Sequence, residues 1–307
     1  MATLAIVNPL AARRTPRRTW RRLRDEVPGV RDWEWLTTRY AGHATELARA
    51  AAASHGRYER VAVVGGDGTV GEAAQGLAHT DLPLAIIPAG TGNDIARNLA
   101  IPRHPLAAAR LAATGTPRTI DLGEVRTPEA TRGFVNVAGF GFDAEAAERV
   151  NRLPRVVGGT LPYLVGTLQT LWRYAAPRVR LSLDGQPIEA RIFLVAVGNC
   201  ASYAGGMRIV PLARPDDGML DVCLVHALSR LEVLRVIPRL YSGGHESHPA
   251  VKLFRCRSLE GEVLSAASDR APVRVSCHAD GEQVGGLPVR FAIQPGALRC
   301  VTGPAQG

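Results

Sequence analysis

Val61-Ala62-Val63-Val64-Gly65-Gly66-Asp67-Gly68-Thr69 is a short apolar run that ends abruptly in a glycine-rich turn, and residues of helical pattern follow it. Leu84-Ala85-Ile86-Ile87-Pro88-Ala89-Gly90-Thr91-Gly92-Asn93-Asp94 repeats the arrangement. Four apolar β-formers bounded by glycine read as a buried strand, and the turn behind them as the entry to a helix. Upstream, Leu4 to Val7 forms a first strand stopped by Asn8-Pro9, and Trp20, Leu23 and Val27 then recur at helical spacing. Trp33 to Leu36 gives a second strand, with an alanine-rich helix from His43 to Ser54 behind it and a further helix from Val70 to Leu77 after the first glycine turn. Strand and helix alternate, which predicts a parallel sheet covered by helices on both faces.

Beyond Asp121 the pattern changes. The runs Phe134 to Val137, Val179 to Leu183, Ile192 to Val197, Leu220 to Val225 and Val273 to Ser276 are rich in β-formers and separated by glycine and aspartate turns. This predicts an α/β protein in two domains: a parallel-sheet domain over residues 1–122 and a mainly antiparallel, β-sandwich-like domain over residues 123–307, with the extreme C-terminal strand returning to the first. Helices are expected near Leu161 to Tyr174 and near Arg230 to Leu240.

Composition narrows the functions open to such a chain. With 307 residues and 46% hydrophobic content it has material for two cores. The net charge of +9 is carried by arginine, because Lys252 is the only lysine. A P-loop needs a lysine directly after its glycines and a protein kinase needs one on an early strand; Lys252, in VKLFRC, has neither setting. Five widely separated cysteines without a Cys-x-x-Cys pair predict a reducing, cytoplasmic setting. No run approaches the roughly 20 apolar residues that cross a bilayer, so membrane contact is expected to be peripheral, at the inner face.

The two glycine turns carry the chemistry. Glycines let backbone N–H groups approach an anion, and a helix N-terminus behind them adds unsatisfied donors. A tight turn that binds nothing is the alternative for either motif alone. In a parallel sheet, however, the carboxyl ends of neighbouring strands open onto one crevice, so both turns are expected to line one site. Asp94 is also placed to cap its own helix.

Taken in order, the motifs resemble the soluble lipid kinases that group bacterial diacylglycerol kinases with sphingosine and ceramide kinases. The resemblance rests on Asn8-Pro9, Thr38 with Gly42 and Glu46, GGDGT with Glu72, GTGND, NVAGFGFDA (Asn136 to Ala144), VGN with Gly205-Gly206, PDDG-x-LDV (Pro215 to Val222) and Asp280-Gly281-Glu282. It implies a nucleotide-binding domain followed by a lipid-binding domain, with ATP as donor, Mg2+ as cofactor and a lipid with a free hydroxyl, such as diacylglycerol, as acceptor. By that resemblance Asn8, Pro9, Thr38, Gly65, Gly66, Asp67, Gly68, Thr69 and Thr91 contact nucleotide. Asp217, with the carbonyls of Arg214 and Met219, matches the metal turn. Glu282 matches the proposed base, Asp67 is the competing base, and Asp143 matches a carboxylate of the network between them. The chain departs from the family at Leu10-Ala11-Ala12-Arg13-Arg14 and at Gly71, where asparagine is common.

Other features have plainer accounts. His245-Glu246-Ser247-His248 and Cys277-His278 lack a second ligand pair at zinc-like spacing. Asp280 and Glu282 alone would read as solvated acids of a β-turn. The arginines of RRTPRRTWRRLR, Arg13 to Arg24, suit either a solvated helix face or an anionic membrane surface. Nucleic acid is not an expected partner, since aromatic residues are only 5% of the chain and do not cluster with the charge. The rival functions are a NAD kinase-like enzyme, which shares the GGDGT turn, and a catalytically reduced lipid-binding or regulatory protein of the same fold.

Overall fold

The computed structural model describes residues 2–11, 15–146, 169–172, 174–264 and 274–304. Its first layer is the expected parallel sheet: β1 (Ala2–Val7), β2 (Glu34–Thr37), β3 (Tyr58–Gly65) and β4 (Leu84–Pro88) lie in the order β4-β3-β1-β2. Period-two alternation of the side chains feeds two cores. Ile6, Val63 and Ile86 face one way, against Ala44 and Ala48 of α2 (His43–Ala52) and Ala73 and Leu77 of α3 (Asp67–Leu77). Ala5, Val64 and Ile87 face the other, where Trp20 and Leu23 of α1 (Thr15–Glu26) and Ala109 of the helix over Pro105–Thr114 cover them. Both faces of the inner strands are dry, which is why they read as continuous apolar runs.

The short α4 (Asp94–Asn98) follows the second glycine turn, and Pro105–Thr114 is α5. β5 (Pro117–Arg126) then leads into the antiparallel half. There β6 (Thr131–Phe134), β7 (Val137–Gly141), β8 (Arg178–Leu183), β9 (Gln186–Gly198), β10 (Leu220–His226), β11 (Val251–Cys256), β12 (Ser258–Val263), β13 (Ser276–Ala279) and β14 (Glu282–Gly286) enclose a core that includes Phe134 and Phe140. The first half of β9 pairs with β8, and its second half with β7 and β10. The last strand, β15 (Val289–Val301), pairs with β12 and β5, and at its far end Cys300 pairs in parallel with Leu84 of β4. One strand therefore joins the two halves.

The structure departs from the sequence expectations at particular points. The run Phe134 to Val137 is not one strand: β6 ends at Phe134 and β7 begins at Val137, because the backbone between them turns to bond with Asp280. The run expected at Val273 to Ser276 starts as strand only at Ser276, and Val273 lies outside the described residues. The helix near Leu161 to Tyr174 falls mostly outside them as well, although 169–172 are helical and Leu171 is buried. The later helix, α6 (Arg230–Val236), is capped by a Ser229–Glu232 capping box and continues as 3-10 helix through Ile237–Tyr241. β12 escaped the sequence because an inward position of its alternation is Gly261, whose missing side chain leaves room for the Phe140 ring.

Two glycines of α3 should respond oppositely to the same substitution. A Cβ at Gly76 would stand 2.5 Å from the Thr45 carbonyl oxygen and 2.8 Å from the Ala48 Cβ, so this glycine sets the α2–α3 distance. A Cβ at Gly71 would meet only the Asp280 carboxylate, at an ordinary 3.6 Å. Gly76→Ala is expected to lose about 1–3 kcal/mol by overpacking. Gly71→Ala is expected to gain about 0.5–1 kcal/mol from helix propensity. Urea midpoints at constant slope would check both.

Candidate active site

The two glycine turns touch. A Cβ on Gly90 would lie 2.4 Å from the Gly66 Cα, so no side chain can stand between them. Asn93, in the left-handed region at φ 52°, closes the second turn by accepting the Gly90 N–H at 2.9 Å and donating to the Gly90 carbonyl at 3.0 Å. Asn8 Nδ2 donates to Thr69 Oγ1 at 2.8 Å and so fastens the first loop to GGDGT. No side chain caps α3, whose N-cap is Gly66, which leaves its first N–H groups available to an anion. Around these turns lies a cleft of about 410 Å3 lined by Asn8, Thr38, Gly66, Gly68, Thr69, Glu72, Gly90, Thr91 and Glu282. Pro9 and Gly65 adjoin its walls without lining it.

Glu282 reaches this cleft from the antiparallel half. Asp280 (φ 48°) and Gly281 (φ 83°) form a two-residue left-handed turn between β13 and β14, the conformation that Asp-Gly favours. The turn sets Glu282 over α3, with Oε1 3.2 Å from where a Cβ of Gly68 would be, while Arg132 holds Oε2 at 2.8 Å. Asp280 is no ordinary solvated acid. Its carboxylate accepts the N–H groups of Val135, Asn136 and Val137 at 2.8, 2.9 and 3.3 Å. Burial nevertheless pushes its pKa up to about 6, with the Asp67 charge adding to the rise.

Asp67 lies behind the cleft wall and faces α4. Its Oδ1 accepts the Ile95 N–H at 2.9 Å, and burial lifts the carboxyl above its usual range against the pull of the Ile95, Asp94 and Asn93 N–H groups. Asp94 pairs with Arg97 and accepts the Gly205 N–H at 2.8 Å, which ties α4 to the loop after β9. In that same loop Tyr203 donates to Asp143 Oδ2 at 3.4 Å. The buried His278 also meets Asp143 Oδ2, at 2.9 Å. Burial favours the neutral imidazole of His278, but the Asp143 carboxylate outweighs it and lifts the pKa above the ordinary value. Asp143 is thus held by a histidine and a tyrosine, one loop away from Asp67.

Asp217 stands elsewhere. Its carboxylate accepts the Met219 N–H at 3.1 Å and pairs with Arg255, which also approaches Asp221 at 3.6 Å. The turn is pinned from below by the buried Asp121, which accepts the N–H groups of Gly218 and Gly296, each at 2.7 Å. Among the described residues no three His, Cys, Asp or Glu side chains converge as a metal cluster. Asp217, with the main-chain carbonyls of Arg214 and Met219 that the motif resemblance implies, would make an all-oxygen donor set of the hard type that Mg2+ takes with water. A cation there must compete with Arg255 for Asp217. His245, by contrast, is buried against the Ile209 carbonyl at 3.0 Å and serves the core.

Comparison with known proteins decides the family. Residues 2–125 match the diacylglycerol kinase catalytic domain, and residues 136–302 match the YegS C-terminal NAD kinase beta sandwich-like domain. A diacylglycerol kinase of Mycobacterium tuberculosis is 38% identical over 244 residues, covering 78% of this chain and 76% of that protein. The chain belongs to the diacylglycerol kinase and YegS-like lipid kinase family. A relative in Chromohalobacter salexigens, named a probable YegS-like lipid kinase, is 32% identical over 86% of this chain and 81% of its own length. A solved structure from Bacillus anthracis, described as a candidate diacylglycerol kinase, superposes with a TM-score of 0.76 at 26% identity, covering 99% of this chain and 97% of that one.

For this member of the lipid kinase family, the residues that sequence reasoning passed over are the ones that hold others in place. Arg132 and Asp121 carry no motif signal of their own, His278 stood out only as half of a Cys-His pair, and Asp280 alone read as a solvated acid of its turn. Only the Asp-Gly pair at 280–281 was a local cue. Asp280 provides a test, because its carboxyl is raised from 3.8 to about 6 in the folded chain. A group raised in this way binds its proton more tightly when folded. Its stabilising contribution is therefore complete below about 3.8 and lost as the pH rises through about 6. Carboxyl NMR should give Asp280 a midpoint near 6, and Asp280→Asn should remove that component from the pH dependence of the urea midpoint.

Proposed function

We propose that this chain transfers the γ-phosphoryl group of ATP to the hydroxyl of a lipid, with diacylglycerol the leading acceptor and Mg2+ the metal. The observation that carries the proposal is the meeting of Glu282 with the GGDGT turn in one cleft. Phosphoryl transfer requires positioned phosphates, neutralised charge and a carboxylate beside the attacking oxygen. The amides at the start of α3, Thr69 and Thr91 would receive the phosphates. Asn8 and Thr38 would border the nucleotide. Mg2+ would be held at the Asp217 turn, outside the cleft lining, with the Arg214 and Met219 carbonyls.

Glu282 is the stronger candidate for the base. It lines the cleft, its Oε1 stands over the glycine turn, and its other oxygen is fixed by Arg132, so one oxygen is free to accept the hydroxyl proton. As that proton leaves, the lipid oxygen attacks the γ-phosphorus and ADP departs. Asp67, bonded to the start of α4, would organise the two turns rather than take the proton, with Asp143 steadying the adjoining loop. The five cysteines are buried and unpaired, in keeping with a reducing compartment, and among the described residues no helix is long and apolar enough to cross a membrane.

Phosphate transfer from ATP should be assayed separately with diacylglycerol, a sphingoid base and NAD; transfer to NAD alone would overturn the lipid assignment. Glu282→Gln is expected to keep ATP affinity while lowering kcat by about 10² to 10⁴. Near-normal turnover in that variant, together with a dead Asp67→Asn, would move the base to Asp67.

The ion pair at the metal turn yields a second expectation. Asp217→Ala should raise the Mg2+ concentration needed for half-maximal activity. Arg255→Gln should lower it by freeing the carboxylate, and Zn2+ should not substitute. Titrations of initial rate against metal would distinguish these outcomes from an unresponsive turn.

A further inference from the structure

The segment from α6 through the following 3-10 turn is apolar on two opposite faces. Val233, Ile237 and Leu240 pack on the core beside Phe142 and Phe193, and Val236 is buried on the same side. Leu231, Leu234, Pro238 and Tyr241 follow one another at spacings of three, four and three, which places them on the other face. There Leu231 is 68% exposed, Leu234 44% and Tyr241 58%. Single exposed leucines are ordinary, but a stripe at helical spacing on an element that already buries its other side is not needed to hold that element down.

The surroundings indicate what covers the stripe. Trp172, 62% exposed, stands beside the start of α6, where Arg230 lies 4.9 Å over its ring and donates to its carbonyl at 2.6 Å. Arg235 and Arg239 flank the stripe and are exposed. The one acid of α6, Glu232, is turned back to accept the Ser229 N–H at 2.9 Å. Exposed leucine, tryptophan and tyrosine edged by arginine are the composition of a surface that enters the headgroup layer of an anionic bilayer. α1 lacks this combination: Arg18, Arg21 and Arg22 are exposed, but Trp20 and Leu23 are spent on the sheet and Arg22 is paired with Glu26.

We propose that Leu231, Leu234, Tyr241 and Trp172, flanked by Arg230, Arg235 and Arg239, form the surface by which this protein seats on an anionic membrane. The proposal takes its purpose from the lipid-kinase function above, but its evidence is independent of turnover. Leucines and indole would enter the acyl boundary while the arginines meet lipid phosphates. The apolar core under α6 continues to Phe142, the residue before Asp143, so the seated face adjoins the inner wall of the antiparallel half.

Co-sedimentation with phosphatidylcholine vesicles, with and without phosphatidylglycerol, tests this. The unaltered chain should bind the anionic vesicles, and the Leu231→Ser/Leu234→Ser pair should reduce the partition coefficient about tenfold or more. Arg235→Gln/Arg239→Gln should weaken only the anionic, salt-sensitive part. Arg18→Gln/Arg21→Gln on α1 should leave binding unchanged. Vesicles should shift the indole emission to the blue, and Trp172→Phe should abolish that shift, a measurement that stands even if the leucine pair folds poorly. Failure of the unaltered chain to bind, or equal binding by the leucine pair and Trp172→Phe, would overturn the proposal. So would a dimer that these substitutions dissociate in the absence of lipid, since the stripe would then belong to a second copy. Phosphorylation of detergent-dispersed diacylglycerol, measured in parallel, should be unchanged in every variant. Its absence throughout would count against the kinase function and not against the docking surface.

Discussion

One carboxylate at a hairpin tip holds the site together. Asp280 accepts three backbone N–H groups from the bend between β6 and β7, and its left-handed turn aims Glu282 across the cleft at Gly68. Remove those bonds and the bend has three unsatisfied donors, while the strand that carries Glu282 loses its anchor. The arrangement makes a distant segment of chain, rather than the glycine turn itself, responsible for where the acid stands. It also explains the break in what the sequence presented as one β-run: two strands are needed so that the peptide groups between them can turn towards Asp280.

Close backbone approach is the complementary constraint. Gly66 and Gly90 lie against each other because neither has a side chain; Asn93 closes the second turn on itself, Asp67 bonds the first turn to the helix after the second, and Asn8 ties the first turn to the end of the first strand. Where the two turns meet, the cleft is therefore bounded by main chain. Carboxylates are distributed around it at different depths: Glu282 on the wall, Asp67 behind it, and Asp143 one loop further, held by His278. Desolvation raises Asp67 and Asp280 together, so neither behaves as a surface acid.

The parallel sheet was legible in the sequence because β1, β3 and β4 are apolar on both sides and run into turns of glycine or proline. Its glycine turns and their common crevice followed from that topology. The long strands β9 and β15 were not legible as units. Each changes partners along its length, so its pattern of burial changes midway and no single periodicity survives. At the site, residues that touch through motif glycines could be placed from sequence. The partners that hold the acids could not: nothing local marks Arg132 as the partner of Glu282, or His278 as the partner of Asp143, because those pairs are far apart in the chain and exist only after folding. Arg255 on Asp217 is the same case, and it changes the character of a turn that sequence alone presented as a bare ligand.

The return of β15 to β4 bears on how the chain is made. During synthesis β1, β3 and β4 emerge first and can pair, but the outer side of β4 has no neighbour until the residues around Cys300 have left the ribosome. Until then the parallel-sheet half carries a naked, strongly apolar edge, the kind of edge that recruits other chains. The parallel-sheet half expressed by itself would carry that edge permanently.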